Sequence, residues 1–313
     1  MVAISIIPIV DAVAKTLSTR HDISPVTVTL LRFVAQTIVI LAIFVVVTAV
    51  QRKRPIDDVG PPLPSPRATM IAANIGRGLL HGGATMFFFI ALKYMPLADT
   101  IAVFFVEPMI VLLLSAVFLG EFVGWPRRIA SVVAFAGALL IIQPSYALFG
   151  PVSLLPLLAA LCFALYFIIT RRLTQKDHPL TMQLWSGIGG VIISAGVLGA
   201  MALIGDRAPL DSRFTMPQTS IVLWLGLVLG VVSTVAHVSI ATATKFAPAS
   251  VLAPFNYLEI VSATLLGFLI FDEFPGGMQW LGTGIIVSMG IVVFMRERAL
   301  ERKTALPAVP TGV

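Results

Sequence analysis

The chain has 313 residues, 58% of them hydrophobic and only 12% charged, with a mean hydropathy of +0.99 and a formal net charge of +6. A soluble domain of this size carries about twice that charged fraction, so the composition excludes one and points to a polytopic membrane protein. The basic excess calls for no nucleic-acid partner, because it is spread between apolar runs, and Cys162 stands alone, which excludes an intrachain disulfide.

The apolar residues fall into runs of about 20, the length that crosses a hydrocarbon core as an α-helix. They lack the apolar/polar alternation of a membrane barrel. Ten spans are predicted, at 1–19, 25–50, 68–93, 97–119, 126–143, 152–173, 180–204, 219–244, 249–271 and 277–295. Asp11 and Lys15 sit so early that the first run is expected to be a retained span rather than a signal peptide. The linker 51–67 and the tail 296–313 are polar, and both are expected to be mobile.

With the N-terminus placed in the cytoplasm, fourteen Lys and Arg fall in inside loops and the tail and four in outside loops. Three more, Lys15, Arg32 and Arg77, lie within spans, which accounts for all 21. This bias predicts a multi-pass protein of the cytoplasmic (inner) membrane with both termini in the cytoplasm.

A step of 152 residues carries Pro96 onto Pro248, Glu107 onto Glu259, Glu121 onto Glu273 and Phe122 onto Phe274. These four glutamates are the only ones before the tail, so structure and charge repeat together. A unit of five spans is odd, and a second copy must enter the membrane from the opposite side. The expected fold is therefore all-α, with ten transmembrane helices in two inverted five-helix repeats, residues 1–145 and 146–295, around a central cavity. Residues 296–313 form a cytoplasmic tail outside the repeats.

Counting from the span ends places Asp11, Arg77, Glu107 and Glu259 near the midplane, and Lys15, Arg32 and His81 in the outer half. Ionisable groups at such depth face a cavity or one another and mark a candidate substrate site. Simple pairing is the competing reading: Asp11 and Lys15 are four apart on one helical face, and Arg77 could lock onto Glu107. Pro108 follows Glu107 and removes a helix hydrogen bond, and Pro254 does the same five residues before Glu259. Breaks at matching places in two halves are the signal for a transport site, although a transmembrane proline can also merely bend its helix. Tyr166 and Trp185 are candidate cavity walls, Trp185 being equally placed to anchor at the interface. His81 and His237 are expected at different depths, which favours packing over proton carriage. Gly226 with Gly230, and Gly187, Gly189 and Gly190, are expected to let helices approach closely.

No HExxH, Walker A loop or cysteine cluster occurs, so no enzymatic reaction, cofactor or metal is predicted. The run PLADTIAVFFVEPMIVLLLSAVFLGEFVGWPRRIASVVAFAGALLIIQP, ending at Pro144, resembles an EamA-type unit of the drug/metabolite transporter superfamily, and 249–296 resembles a second, more diverged copy. DAVAKTLS from Asp11, LLRF ending at Phe33 and RGLL from Arg77 are similar to the subgroup containing S-adenosylmethionine uptake and amino-acid or metabolite export proteins. The resemblance implies a central cavity lined by the first to fourth and sixth to ninth helices, with the fifth and tenth bracing it or forming a dimer contact. It leaves monomer and homodimer open. The second copy departs from the pattern at FDEF, where the first has LGEF, and lacks a basic counterpart of Arg77.

The function expected is secondary transport, by alternating access, of a small polar or zwitterionic metabolite such as an amino acid or S-adenosylmethionine. Organic-anion or sugar-phosphate exchange is the alternative within transport, and a non-transporting scaffold or channel the alternative outside it. A small-molecule substrate and membrane lipid are the expected partners.

Overall fold

The computed structural model describes residues 6–52, 68–119, 125–174, 176–205, 213–216, 219–246 and 257–305. Pro254, Glu121, most of the 51–67 linker and the end of the tail lie outside the described residues. Among those described there are eleven α-helices and no strand. They are α1 (Ile7–Arg20), α2 (Pro25–Arg52), α3 (Ala68–Tyr94), α4 (Leu97–Phe104), α5 (Glu107–Leu119) and α6 (Trp125–Phe149). A 3₁₀ turn, Gly150–Leu154, leads to α7 (Leu155–Leu173), α8 (Pro179–Ile204), α9 (Ser220–Phe246), α10 (Tyr257–Phe271) and α11 (Gly277–Ala305).

Among the described residues, six stretches are long and apolar enough to cross a membrane: Pro25–Val47, Met70–Tyr94, Leu97–Ser115, Tyr146–Leu173, Pro179–Ile204 and Ser220–Ala243. Ser262–Phe271 and Trp280–Val292 are shorter apolar helices. The distribution of polarity agrees with a lipid surround. Val45, Val117, Val132 and Leu203 are exposed, whereas Asp11, Lys15, Arg32, Arg77, Glu107 and Glu259 are buried. Outward apolar and inward charged residues are what lipid, rather than water, selects.

Apolar burial gains little when the surroundings are themselves apolar, so helices in lipid associate by close packing of small residues. The glycines of α8 behave as expected. A Cβ on Gly78 of α3 would run into the Ser186 carbonyl and come within 2.9 Å of Gly189 Cα, and one on Gly190 would meet the Phe33 ring of α2. Gly230 of α9 lies against Ala35 and Gln36 of α2, while Gly226 is looser, facing Leu31. Gly137 of α6 and Gly282 of α11 meet backbone to backbone, so these two helices brace each other within one chain. α3 thereby becomes a central element, packed on both α7 and α8.

The predicted fourth span is two helices. α4 ends at Phe104, and the N–H of Val106 bonds the Val103 carbonyl at 3.3 Å instead of continuing the i→i−4 ladder. Pro108, with no N–H to give the Phe104 carbonyl, stands one residue into α5. The result places Glu107 in the first turn of α5, and Glu259 likewise occupies the first turn of α10.

Candidate functional site

Three polar groups inside the helical body are built from residues distant in sequence. The first surrounds Arg32 of α2. Its Nε donates to Ser233 Oγ of α9 at 2.9 Å and its Nη1 to Thr85 Oγ1 of α3 at 2.5 Å. Its Nη2 faces His81 Nε2 at 3.2 Å and His237 Nε2 at 2.8 Å. A wall of rings encloses this guanidinium. His81 stacks on Tyr166 with centroids 4.6 Å apart and an interplanar angle of 29°, and meets Phe33 and His237 edge-on at 5.1 and 4.4 Å. Phe163 of α7 closes on Tyr166 at 5.2 Å, and the Arg77 guanidinium lies 5.0 Å from the opposite partner of that stack, the Tyr166 ring centroid. Arg77 is fixed by Nη1 to Thr170 Oγ1 at 3.0 Å and Nη2 to the Met182 carbonyl at 2.6 Å.

The second group is acidic. Asp11 of α1, Glu107 and Glu259 are all buried, and Glu259 is within electrostatic range of both others. Asp11 also lies within electrostatic range of Arg32, which joins the acidic group to the ring-lined one. First-turn positions suit the two glutamates, because the exposed N–H groups of a helix start favour negative charge. Asp11 Oδ2 is buried without a hydrogen-bond partner among the described residues.

The third group bridges α1 and the turn that follows α10. Lys15 Nζ donates to Glu273 at 2.6 and 2.9 Å and to the Met95 carbonyl at 2.8 Å, and Glu273 Oε2 also accepts the N–H of Leu97 at 2.9 Å. The turn that presents Glu273 depends on Asp272, whose φ of +56° is left-handed and which lets the Glu273 N–H bond the Gly267 carbonyl at 3.1 Å. Asp tolerates that conformation better than most residues other than Gly, so the position that is Gly in LGEF can be Asp in FDEF.

Several expectations change here. Lys15 pairs with Glu273 rather than Asp11, since a carboxylate beside it across the fold outcompetes the one a turn away. Arg77 is held by Thr170, Met182 and Tyr166, and no ion pair with Glu107 forms. His81 and His237 share one guanidinium instead of lying at separate depths. Trp185 is partly exposed on α8 and takes no part in the ring contacts. Sequence reasoning missed Thr85, Phe163 and Ser233 altogether. A polar residue within an apolar run was the available signal for Ser233, but Ser and Thr are too common in spans for it to stand out.

The chain matches the EamA-like transporter family over residues 2–143 and again over 151–296. It belongs to that family. Among curated relatives, this EamA-like transporter is 32% identical over 214 residues to a riboflavin transporter of Rhizobium johnstonii, covering 68% of this chain and 67% of that one. It is 29% identical over 231 residues to an S-adenosylmethionine uptake transporter of Rickettsia conorii, covering 74% of each. A pseudopaline exporter of Pseudomonas aeruginosa is 27% identical over 225 residues, covering 71% of this chain and 74% of that one. A solved crystal structure of 20% identity superposes with a TM-score of 0.60 over 96% of this chain and 99% of the other, a likeness of fold. The protein is thus a multi-pass membrane transporter of a small metabolite and not an enzyme.

Proposed function

We propose that this EamA-like transporter is a secondary carrier that moves a small polar or zwitterionic metabolite across the inner membrane by alternating access. Its two inverted five-helix halves, residues 1–145 and 146–295, rock about a site between them, and both termini face the cytoplasm. The observation that carries the reading is the setting of Arg32: a guanidinium from the first family match is held by Ser233 and His237 of the second. A buried polar junction between halves is where a rocking carrier needs its substrate.

The arrangement also has polarity. Arg77 and the Arg32–histidine group provide donors, while Asp11, Glu107 and Glu259 provide acceptors. A zwitterion matches that division, with its carboxylate toward the donors and its amino or sulfonium group toward the acids. The three acids weigh against an anion exchanger, for which they would be repulsive neighbours.

Purified protein in liposomes is expected to show saturable uptake of S-adenosylmethionine, riboflavin or an amino acid from a labelled panel, with sugar phosphates competing poorly. Arg77→Ala and Glu107→Gln should each abolish it. Full uptake by both variants would discard this site, and non-saturating ohmic flux would replace the carrier by a channel.

A further inference from the structure

A guanidinium has hydrogens to give and no acceptor, so each contact of Arg32 is a donation. The Nη2 atom carries two hydrogens, and two ring nitrogens receive them: His81 Nε2 and His237 Nε2. Both Nε2 atoms therefore present lone pairs. In each neutral ring the hydrogen must sit on the other nitrogen, Nδ1.

Neither Nδ1 has a hydrogen-bond partner among the described residues, and the two residues are only 2% and 5% exposed. The rings are neighbours, centroid to centroid at 4.4 Å. Arg77 Nε, close by behind Tyr166, is a third buried atom in the same condition. All three unpartnered atoms are donors. Buried donors are almost always satisfied in a folded protein, so neighbouring open donors call for an occupant that brings acceptors, an ordered water or a ligand.

We infer that the Nδ1–H groups of His81 and His237 form the point at which a substrate carboxylate is recognised, and that Arg32 is a positioning residue which fixes their tautomer. Arg32 Nη2 has no hydrogen left for a ligand, its Nε is engaged by Ser233, and one of the two Nη1 hydrogens goes to Thr85. Naming the carboxylate's partners rests on reading the junction as a carrier site, but the tautomer itself does not.

Full-length protein labelled with ¹⁵N-histidine and placed in lipid bilayers tests both parts, since only four histidines contribute signals. Both rings should give the signature of hydrogen on Nδ1, and Arg32→Met, which has no hydrogen to give, should release a mixture of tautomers. Propionate should shift both Nδ1 resonances saturably, and propylammonium should not. In His237→Gln the side chain can still accept from Arg32 but has no group at the Nδ1 position, so propionate binding should weaken about tenfold or more. His237→Asn, which retains a donor near that position, should bind more tightly than the Gln variant. Hydrogen on Nε2 of either ring, charged imidazolium, Nδ1 signals unmoved by propionate, or unweakened binding in His237→Gln would each overturn the inference. If labelled metabolites show no uptake while these signatures hold, the carrier reading fails and the carboxylate site stands.

Discussion

Lys15 Nζ and Glu273 Oε1 meet at 2.6 Å across 258 residues of sequence. The lysine side chain is 5% exposed and the glutamate 25%, so the pair is shielded on one side and open on the other. Removing one partner leaves a charge in a site built for two, whereas removing both leaves none.

Lys15→Met and Glu273→Gln are each expected to lower stability by about 3 kcal/mol, read as a loss of melting temperature in detergent. The double replacement Lys15→Met/Glu273→Gln should cost less than the sum of the singles. Strict additivity would show that the two groups are not coupled.

Two glycines of α3 separated by one residue make opposite predictions. At Gly78 an added methyl would strike the Ser186 backbone, and Gly78→Ala should destabilise by about 1–3 kcal/mol by prising α3 from α8. Gly76 has no heavy atom within 4 Å of its notional Cβ, so Gly76→Ala should be neutral or gain up to about 1 kcal/mol from helix propensity. Thermal unfolding of the two variants side by side checks both, and equal losses would contradict the glycine contact.

Pro108→Ala restores an N–H to the second residue of α5 and removes the ring that forbids a continuous α4–α5 helix. Uptake in liposomes should fall several-fold as Glu107 loses its first-turn position, while the melting temperature should hold or rise. Unchanged uptake would show that the break serves packing only.

Six of the ten predicted spans were legible because their apolar length is dictated by the bilayer, and helix starts at Pro25, Leu97 and Pro179 fall within a residue of the predicted ends. The break before Glu107 was legible for a covalent reason, the missing N–H of Pro108. The site was legible in part: Arg32, His81 and Tyr166 were candidates and do come together. His237 was misplaced because counting residues from a span end gives depth along a helix axis but neither its tilt nor its rotation. The partner of Lys15 was missed for a related reason. An i,i+4 neighbour is visible in sequence, and a carboxylate presented by a left-handed turn at Asp272 is not.

Glu273 does more than hold a lysine, because the same carboxylate ends the N-terminal turn of α4 at Leu97. That helix is only eight residues long and has no side-chain cap of its own from Pro96. Drawing α10 away from α1 would strip the acceptor from an ammonium and from a helix start in one movement, and water would have to replace both bonds together. Separation at this end is therefore a threshold event, with few half-open arrangements that satisfy either donor.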